Sequence, residues 1–258
     1  MFALRSSRFV GSASGRSAAG LAAGALAAAA GCYGLAAACD APGASVKSVT
    51  ARLGRLVVDV PTLEATKVLT RRTDLNGVTI YSVTNEAAHS KAGGLPVVRV
   101  AEAVIKAPVA EVAALWWHVQ SRKDWDSVNT QDCQLVKALG TDERLVYLQG
   151  KPKRGGVISS RDFAYVMHRV PAQELGARTG SALFIQTNTA SEVPANSSSV
   201  RGDVNSLLLL EPLDATTTRA RYAIEIDVKG WLPTKVVNAA ADETPLTLAV
   251  MRDHLERQ

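Results

Sequence analysis

The sequence predicts one α+β domain over residues 61–258, in which a long antiparallel sheet is covered by a C-terminal helix. Successive strand patterns separated by turn signals run from residue 131 to residue 229 without a helical pattern between them, as in an antiparallel meander. The last segment, after Pro233, is apolar on one face at helical spacing and needs a partner surface. With 47% hydrophobic and 21% charged residues, the chain can bury a large core.

The N-terminal half of the domain is predicted to alternate helix and strand. A helix begins near Pro61 and spans residues 61–71, and Gly77 precedes a strand at 78–84. A strand at 95–105 is followed by a helix that Pro108 begins and that ends near residue 118.

The remaining residues predict the meander and its cover. Strands are predicted at 134–139, 144–150, 160–170, 181–190, 206–213 and 218–228. The alternation of the last strand slips near Tyr222, where we expect a β-bulge. Thr244 and Pro245 look like an N-cap and a first helical position, so the covering helix is predicted to kink or restart there.

Residues 1–45 are predicted to be a targeting or membrane-anchoring segment outside the fold, and residues 46–60 a linker. Residues 1–17 contain three arginines, five serines and no acidic residue, a composition typical of an organelle transit peptide. Residues 18–38 carry no charge and are long enough to span a bilayer, although alanine and glycine make insertion marginal. A cleaved presequence, a transit signal followed by an anchor and a secretory signal stay open. Import into mitochondria or another organelle is favoured.

Charge and motif content exclude several function classes. The net charge is +5, of which residues 1–45 contribute +2, and the remaining +3 is too small for a nucleic-acid partner. Cys133 is the one cysteine of the domain, and we interpret it as a free, buried thiol. Trp117 and Trp125 are interpreted as core or cavity-wall residues. No spacing of histidines and cysteines suggests a metal, no cofactor is implied, and the four histidines pair with no nucleophile motif. We therefore predict a protein that is not an enzyme.

Four local sequences resemble motifs of the START lipid-transfer family, in that family's order. They are SRKDWDSV at 121–128, RLVYLQGKP at 144–152, SSRDFAYVMHR at 159–169 and DVKGWLPTKVVN at 227–238. The resemblance implies the helix-grip fold, a curved antiparallel sheet wrapped around a long C-terminal helix with an internal lipid cavity. It also implies binding and intermembrane transfer of one lipid molecule, gated by the C-terminal helix and neighbouring loops. A lipid-sensing or membrane-tethering module stays open, as does a helix-grip hydrolase or cyclase.

The same resemblance suggests candidate lipid-binding residues. Arg122 matches the arginine with which the family's phosphatidylcholine carriers hold a phosphate. The positions of their choline cage correspond to Leu148, Phe163 and Asn205, and one aromatic among three makes choline specificity doubtful. Met167 stands where sterol carriers keep a buried arginine. The ligand that the resemblance implies is a phospholipid or a sterol-like lipid.

Strand parity adds further members to the predicted lipid site. Residues 161, 163, 165 and 167 alternate with their neighbours, so Arg161, Phe163, Tyr165 and Met167 are expected to face the cavity. Arg161 and Asp162 are expected to be structural residues that form turn contacts or ion pairs. Val237, Ala240 and Leu248 of the C-terminal helix complete the predicted site.

A basic loop is predicted to dock on a membrane surface. Lys151, Lys153 and Arg154 lie in KPKRGG at 151–156, which in the family flanks the cavity mouth. Each basic residue could contribute about 1 kcal/mol of binding to an anionic surface. The alternative interpretation is a solvated hairpin loop.

Overall fold

The computed structural model describes residues 44–189 and 192–257, except for the side chain of Arg154. The helices are α1 (Val46–Val57), α2 (Val60–Ala65), α3 (Glu86–Lys91), α4 (Val109–Trp117), α5 (Arg122–Trp125), α6 (Thr234–Glu243) and α7 (Thr247–Leu255). The strands are β1 (Leu69–Leu75), β2 (Val78–Val83), β3 (Val97–Ile105), β4 (Thr130–Ala138), β5 (Glu143–Gly150), β6 (Arg161–Val170), β7 (Ala182–Asn188), β8 (Val200–Arg201), β9 (Asp203–Pro212) and β10 (Thr218–Asp227).

The strands within the described residues form one curved antiparallel sheet, as predicted. Its order is β1-β2-β3-β10-β9-β7-β6-β5-β4, and the short β8 pairs in parallel with the start of β6. Most neighbours in the sheet are consecutive in the chain, but β3 pairs with β10 and β7 pairs with β9. The β3–β10 pairing joins the N-terminal strands to the last strand of the meander.

The concave face of the sheet carries the larger core, and α4 and α7 cover it. The side chains of Tyr165, Phe184, Leu208 and Tyr222 from the sheet pack there with Trp116, Trp117, Trp125 and Leu248. The predicted burial of Trp117 and Trp125 is confirmed, since each side chain is 4% exposed. Cys133 belongs to the same core, and burial raises the pKa of its thiol to about 11.

The convex face is covered by α1, which corrects the predicted linker at 46–60. Ser45 caps the helix by accepting a hydrogen bond from the Ser48 amide, and Val49, Leu53 and Leu56 recur at helical spacing. These side chains are buried against apolar residues of β7, β9 and β10. The segment is helical because its apolar face has a sheet to pack on.

A buried acidic side chain ties α1 and α3 to the convex face. Glu225 of β10 accepts hydrogen bonds from Arg52 at 2.6 Å and from Asn205 at 2.8 Å, and His89 Nε2 lies 2.5 Å from its other oxygen. Although burial works against the charge, these partners hold the pKa of Glu225 below its ordinary value.

Two other element predictions need correction, and one helix was missed. The helix predicted at 61–71 ends at Ala65, and Lys67, with φ of 57°, separates it from β1. The short helix α3 was not predicted. The bulge expected near Tyr222 is wrong, because β10 keeps continuous register with both neighbours. Both faces of this central strand are buried. Its sequence therefore lacks the regular alternation of apolar and polar residues that a half-exposed strand shows, and small and polar residues occur at buried positions.

The predicted break in the C-terminal helix is confirmed. A short 3₁₀ turn at Thr244–Leu246 separates α6 from α7, with Pro245 near its start. Within the described residues, no helix is both long enough and apolar enough to cross a bilayer. The segment 18–38, predicted as a possible anchor, lies outside the described residues.

Candidate functional site

A partly enclosed pocket of about 120 Å³ lies between the concave face and the C-terminal segment. Its floor comes from the sheet and its cover from α6 and the start of α7. The lining residues are Arg122, Asp126, Asn129, Thr130, Leu148, Gly150, Lys151, Lys153, Ser159, Arg161, Phe163, Ile226, Val228, Ala240, Thr244 and Thr247. Apolar side chains of the sheet thus meet a basic rim at one end of the fold.

The inner wall of the pocket carries a buried ion pair. Arg122 Nε lies 3.6 Å from Asp126 Oδ2, and the two residues are 8% and 1% exposed. Asp126 also accepts hydrogen bonds from Asn129, Thr130 and Thr247 at 2.7, 3.3 and 3.1 Å. Although burial alone disfavours the charge, the Asp126 carboxylate raises the pKa of Arg122 above its ordinary value. The positive charge of Arg122 is therefore balanced inside the protein.

Two tryptophans enclose the Arg122 guanidinium. Its central carbon lies 4.8 Å from the ring centre of Trp116 and 5.4 Å from that of Trp125. Arg122 Nη2 donates to Thr247 Oγ1 at 3.2 Å. These contacts join α4 and α5 to α7 behind the pocket.

The rim of the pocket is basic. Lys153 Nζ donates to Asn129 Oδ1 at 2.6 Å and lies 3.9 Å from Glu243 of α6, while burial lowers the pKa of Lys153. Lys151 is exposed. Arg161 donates to the backbone carbonyl oxygens of Ser159 at 2.7 Å and Val228 at 3.0 Å, and so ties the start of β6 to the end of β10.

Three exposed apolar side chains are close in sequence to residues that line the pocket. Trp231 is 94% exposed, Val128 71% and Val157 69%. Each lies within three positions along the chain of a residue that lines the pocket.

A polar latch holds α6 against the sheet. Arg99 of β3 donates to Asp242 Oδ1 at 2.5 Å and to Asn238 Oδ1 at 2.8 Å, both on α6. Arg72 of β1 donates to the same carboxylate at 2.9 Å. Glu86 of α3 accepts from Arg99 at 2.7 Å. Because α6 covers the pocket, these contacts hold it closed.

The structure brings part of the predicted site together. Arg122, Leu148, Phe163 and Ala240 line the pocket, as do Lys151 and Lys153 of the basic loop. The side chain of Arg154 is not described, so its predicted role stays a prediction.

Four other predicted residues lie outside the pocket lining. Tyr165, Met167 and Leu248 are buried in the concave core, on the same side of the sheet as the pocket. Val237 packs with Phe163 and Ile226 beside it.

The prediction for Asn205 needs correction. Asn205 lies opposite Glu225 in the β9–β10 register and bonds to it on the convex face. Its neighbour Val204 belongs to the concave core instead. The strand therefore presents Asn205 away from the pocket.

Sequence reasoning did not identify Asp126 or Thr247 as site residues. Asp126 follows Arg122 by four positions, which was the available signal. Arg161 and Asp162 make structural contacts, Arg161 with backbone carbonyls and Asp162 with Arg201 at 2.7 Å.

The pocket is smaller than a lipid. An apolar cavity of about 150 Å³ accommodates benzene, and side chains of the concave core pack beside Phe163.

Comparisons with known proteins agree in family and fold. A family profile described as the START domain matches residues 69–257. Steroidogenic acute regulatory protein of Xenopus laevis is 24% identical over 154 residues, 57% of this chain and 51% of that protein. The mitochondrial steroidogenic acute regulatory protein of Mesocricetus auratus is 22% identical over 163 residues, 61% and 54% of the two chains. The matched region thus spans about half the length of these relatives.

Two solved structures share the fold. A STAR-related lipid transfer protein from Xanthomonas axonopodis superposes with a TM-score of 0.60 at 23% identity, covering 74% of this chain and 99% of that one. Human StAR-related lipid transfer protein 5 gives 0.57 at 19% identity, covering 81% and 99%.

Proposed function

This chain belongs to the START domain family, and on that premise we propose that it binds one lipid molecule and transfers it between membranes without chemical change. The observation that carries the proposal is the pocket between the concave face and α6, which lies beside the apolar core of that face. Carrying a chain of about sixteen carbons through water would expose hydrocarbon at about 0.8 kcal/mol per CH₂. A cavity that encloses the chain removes most of this cost.

Opening of the C-terminal segment is the proposed gate. The pocket under α6 is smaller than a lipid, so entry of a lipid is proposed to require movement of α6 and α7 from the sheet. Relative to the sheet, α6 is held by polar contacts of Arg72 and Arg99 and by apolar packing of Val237 and Ala241. Water or lipid headgroups can replace the polar contacts as α6 moves.

Membrane docking is proposed to occur through the rim of the pocket. Lys151, Lys153 and Arg154 supply the charge, and Trp231 supplies an aromatic side chain suited to the bilayer interface. A membrane bound at this rim would meet the mouth directly. Contacts of Lys153 with the lipid surface would compete with its ion pair to Glu243, so docking would loosen α6.

The experiment that tests the function is transfer of fluorescent lipids between donor and acceptor vesicles by the purified protein. Native mass spectrometry of the same preparation would identify any lipid bound to it. Transfer of at least one lipid class is expected. Binding without transfer would favour a sensor or tether, and neither binding nor transfer would refute the proposal.

The docking surface has its own test. Replacing Lys151, Lys153 and Arg154 by glutamine should slow transfer from anionic vesicles by more than about tenfold and leave transfer from neutral vesicles nearly unchanged. The control carries the same charge change at Lys47, Lys91 and Lys137, which are exposed outside the rim. Equal rates for the two triple variants would remove the docking role.

The N-terminal residues are proposed to direct the chain to mitochondria or another organelle. The Arg- and Ser-rich composition of residues 1–17 supports this, and the Mesocricetus auratus relative is a mitochondrial steroidogenic acute regulatory protein. Fusion of residues 1–45 to a fluorescent protein would test the assignment. Diffuse fluorescence in the cytosol would contradict it.

A further inference from the structure

Two arginines stack on one tryptophan at the end of β5 and β6 that lies away from the pocket. The central guanidinium carbons of Arg144 and Arg169 lie 4.2 and 4.4 Å from the ring centre of Trp117. The pocket is lined by the end of β5 and the start of β6, whereas Arg144 stands near the start of β5 and Arg169 near the end of β6. The two arginines therefore belong to a different part of the surface from the pocket.

The register of the sheet makes the two arginines diagonal neighbours. Arg144 pairs with Met167 across β5 and β6, and Arg169 follows Met167 by two positions on the same face. Diagonal neighbours of this kind lie about 7–8 Å apart, so both guanidinium groups can contact one small ligand. Arg144 Nη1 also donates to the backbone oxygen of Trp117 at 2.8 Å, which fixes the orientation of its side chain.

The protein balances these two positive charges only weakly. Among the residues that the structure describes, Arg144 has no ion pair and Arg169 has one, to Asp142. Arg169 Nη1 and Asp142 Oδ1 are 3.8 Å apart, beyond hydrogen-bond distance, and the side chains are 47% and 54% exposed, so solvent screens the pair. Burial and the charge of Arg169 both lower the pKa of Arg144. An anion in contact with both guanidinium groups would offset their mutual repulsion.

The hydrogen-bond donors at this point suit a phosphate group. A guanidinium has five N–H donors in one plane and binds phosphate oxygens through paired, charge-assisted hydrogen bonds. Stacking on Trp117 uses the face of each guanidinium and leaves its N–H edge available. Within the described part of the chain, Arg144 donates one side-chain hydrogen bond, to Trp117, and Arg169 donates none. Most of the donors of both arginines can therefore serve a ligand.

We propose that Arg144 and Arg169 bind a phosphate group, with Trp117 holding both guanidinium groups in place. The phosphate accepts hydrogen bonds from both arginines and replaces Asp142 beside Arg169. Inorganic phosphate and the headgroup of phosphatidic acid present the same chemistry to the two arginines. The inference goes beyond lipid transfer and does not depend on it, because neither arginine lines the pocket.

The first test is a titration of the full chain with inorganic phosphate at constant ionic strength, followed by the NMR signal of the Trp117 indole N–H. A rise in stability would not be specific, because phosphate stabilises many proteins through its exclusion from their surface. The Trp117 signal should shift and reach saturation, and the signal of Trp231, which is 94% exposed elsewhere, should not. A Trp117 signal that stays constant or shifts without saturation would overturn the site.

Two variants should change the affinity for phosphate in opposite directions. Arg169→Gln should weaken binding by about tenfold, and Asp142→Asn should strengthen it by about twofold to fivefold, because a competing carboxylate is removed. Arg71→Gln and Asp74→Asn are the matched controls, since this surface pair is similarly exposed, at 51% and 52%, and should leave the affinity unchanged. Equal affinities of wild type and Arg169→Gln, as expected if the arginines only stack on Trp117, would overturn the site.

Vesicles that contain phosphatidic acid distinguish the two sources of phosphate. The chain used carries glutamine at positions 151, 153 and 154, so that the rim of the pocket contributes no charge to binding. Vesicle binding that Arg169→Gln weakens further would identify a lipid headgroup as the ligand, and saturable binding of inorganic phosphate alone would identify free phosphate. Absence of both would overturn the proposal. A chain that binds phosphate through Arg169 and transfers no lipid would refute the carrier function and leave this site intact.

Discussion

Arg99 Nε lies 2.5 Å from Asp242 Oδ1, and this contact fastens α6 to the third strand of the sheet. The Arg99 side chain is 2% exposed, whereas that of Asp242 is 22% exposed. The carboxylate thus stands at the boundary between the interior and solvent. Its bonds to Arg99 and Arg72 are the contacts that must break before α6 can leave the sheet.

Asp242→Asn should accelerate lipid transfer. Hydrogen bonds to charged groups contribute about 1.5–3 kcal/mol each, so weakening this latch should raise the transfer rate by about tenfold if opening limits transfer. The measurement is vesicle-to-vesicle transfer together with hydrogen exchange of residues 234–243. Both should become faster.

Asp74→Asn provides the matched control for the latch. Asp74 pairs with Arg71 on the surface, where both side chains are about half exposed, and solvent screens such a pair, so it contributes little to stability. An Asp242→Asn variant that transfers no faster than Asp74→Asn would rule out the latch.

Arg122→Met should destabilise the protein by about 3 kcal/mol or more, because it leaves Asp126 buried without its cation. The double variant Arg122→Met/Asp126→Asn should recover part of the loss. Urea unfolding followed by circular dichroism would measure the free energy of unfolding of Arg122→Met, of Asp126→Asn and of the double variant. A double variant whose loss equals the sum of the losses of Arg122→Met and Asp126→Asn would show that the two side chains are not coupled.

Trp231 should report membrane docking by fluorescence. The chain has four tryptophans, and Trp116, Trp117 and Trp125 are all buried. A blue shift on adding anionic vesicles would therefore come mainly from Trp231. Trp231→Ala should abolish the shift and weaken vesicle binding by about tenfold, given the usual value of burying a large apolar side chain.

Leu75→Ala serves as the control for Trp231. Leu75 is 44% exposed beside the β1–β2 turn, where Arg252 of α7 donates to the backbone of Asn76, away from the pocket. Vesicle binding should be unchanged in this variant. Transfer by wild type without any blue shift would contradict docking through Trp231.

His168 should make stability depend on pH below about 6.5. Burial lowers the pKa of His168 from 6.5, and the nearby Glu143 offsets this only in part. The unfolded chain therefore takes up a proton that the folded chain does not, and the free energy of unfolding falls as pH decreases from 6.5 toward the folded pKa. Above 6.5 this contribution is constant.

His168→Gln should reduce that pH dependence. Glutamine can still bond to Thr187, which His168 contacts at 3.0 Å. The difference in unfolding free energy between about pH 7.5 and pH 5.5 should be smaller in the variant. An identical difference in both proteins would assign the pH dependence to other groups.

The sequence was most informative where one strand or one proline determines the local structure. Pro108 and the pair Thr244–Pro245 marked helix boundaries that the structure confirms. The placement of Phe163, Tyr165 and Met167 on one face followed from the pleat alone. These features need no knowledge of distant partners.

Features that depend on distant partners were missed. The run Leu207–Leu210 is buried on both faces and has no alternation to reveal which face holds Asn205. The segment that forms α1 was interpreted as a linker, because its apolar side chains are explained only by packing on the convex face of the sheet. The distances from Asp242 to Arg99 and from Arg122 to Asp126 follow from tertiary packing, which local patterns do not encode.

The ion pair between Arg52 and Glu225 stabilises the sheet on its convex face, since it holds α1 against β10. A sheet supported in this way resists flattening, so space for a ligand must be made on the side of the C-terminal helices. The width of the opening then depends only on how far α6 and α7 move. We therefore expect lipids to be selected by their cross-section. Narrow molecules would enter after a small displacement of α6 and α7, and two-chain molecules only after a large one.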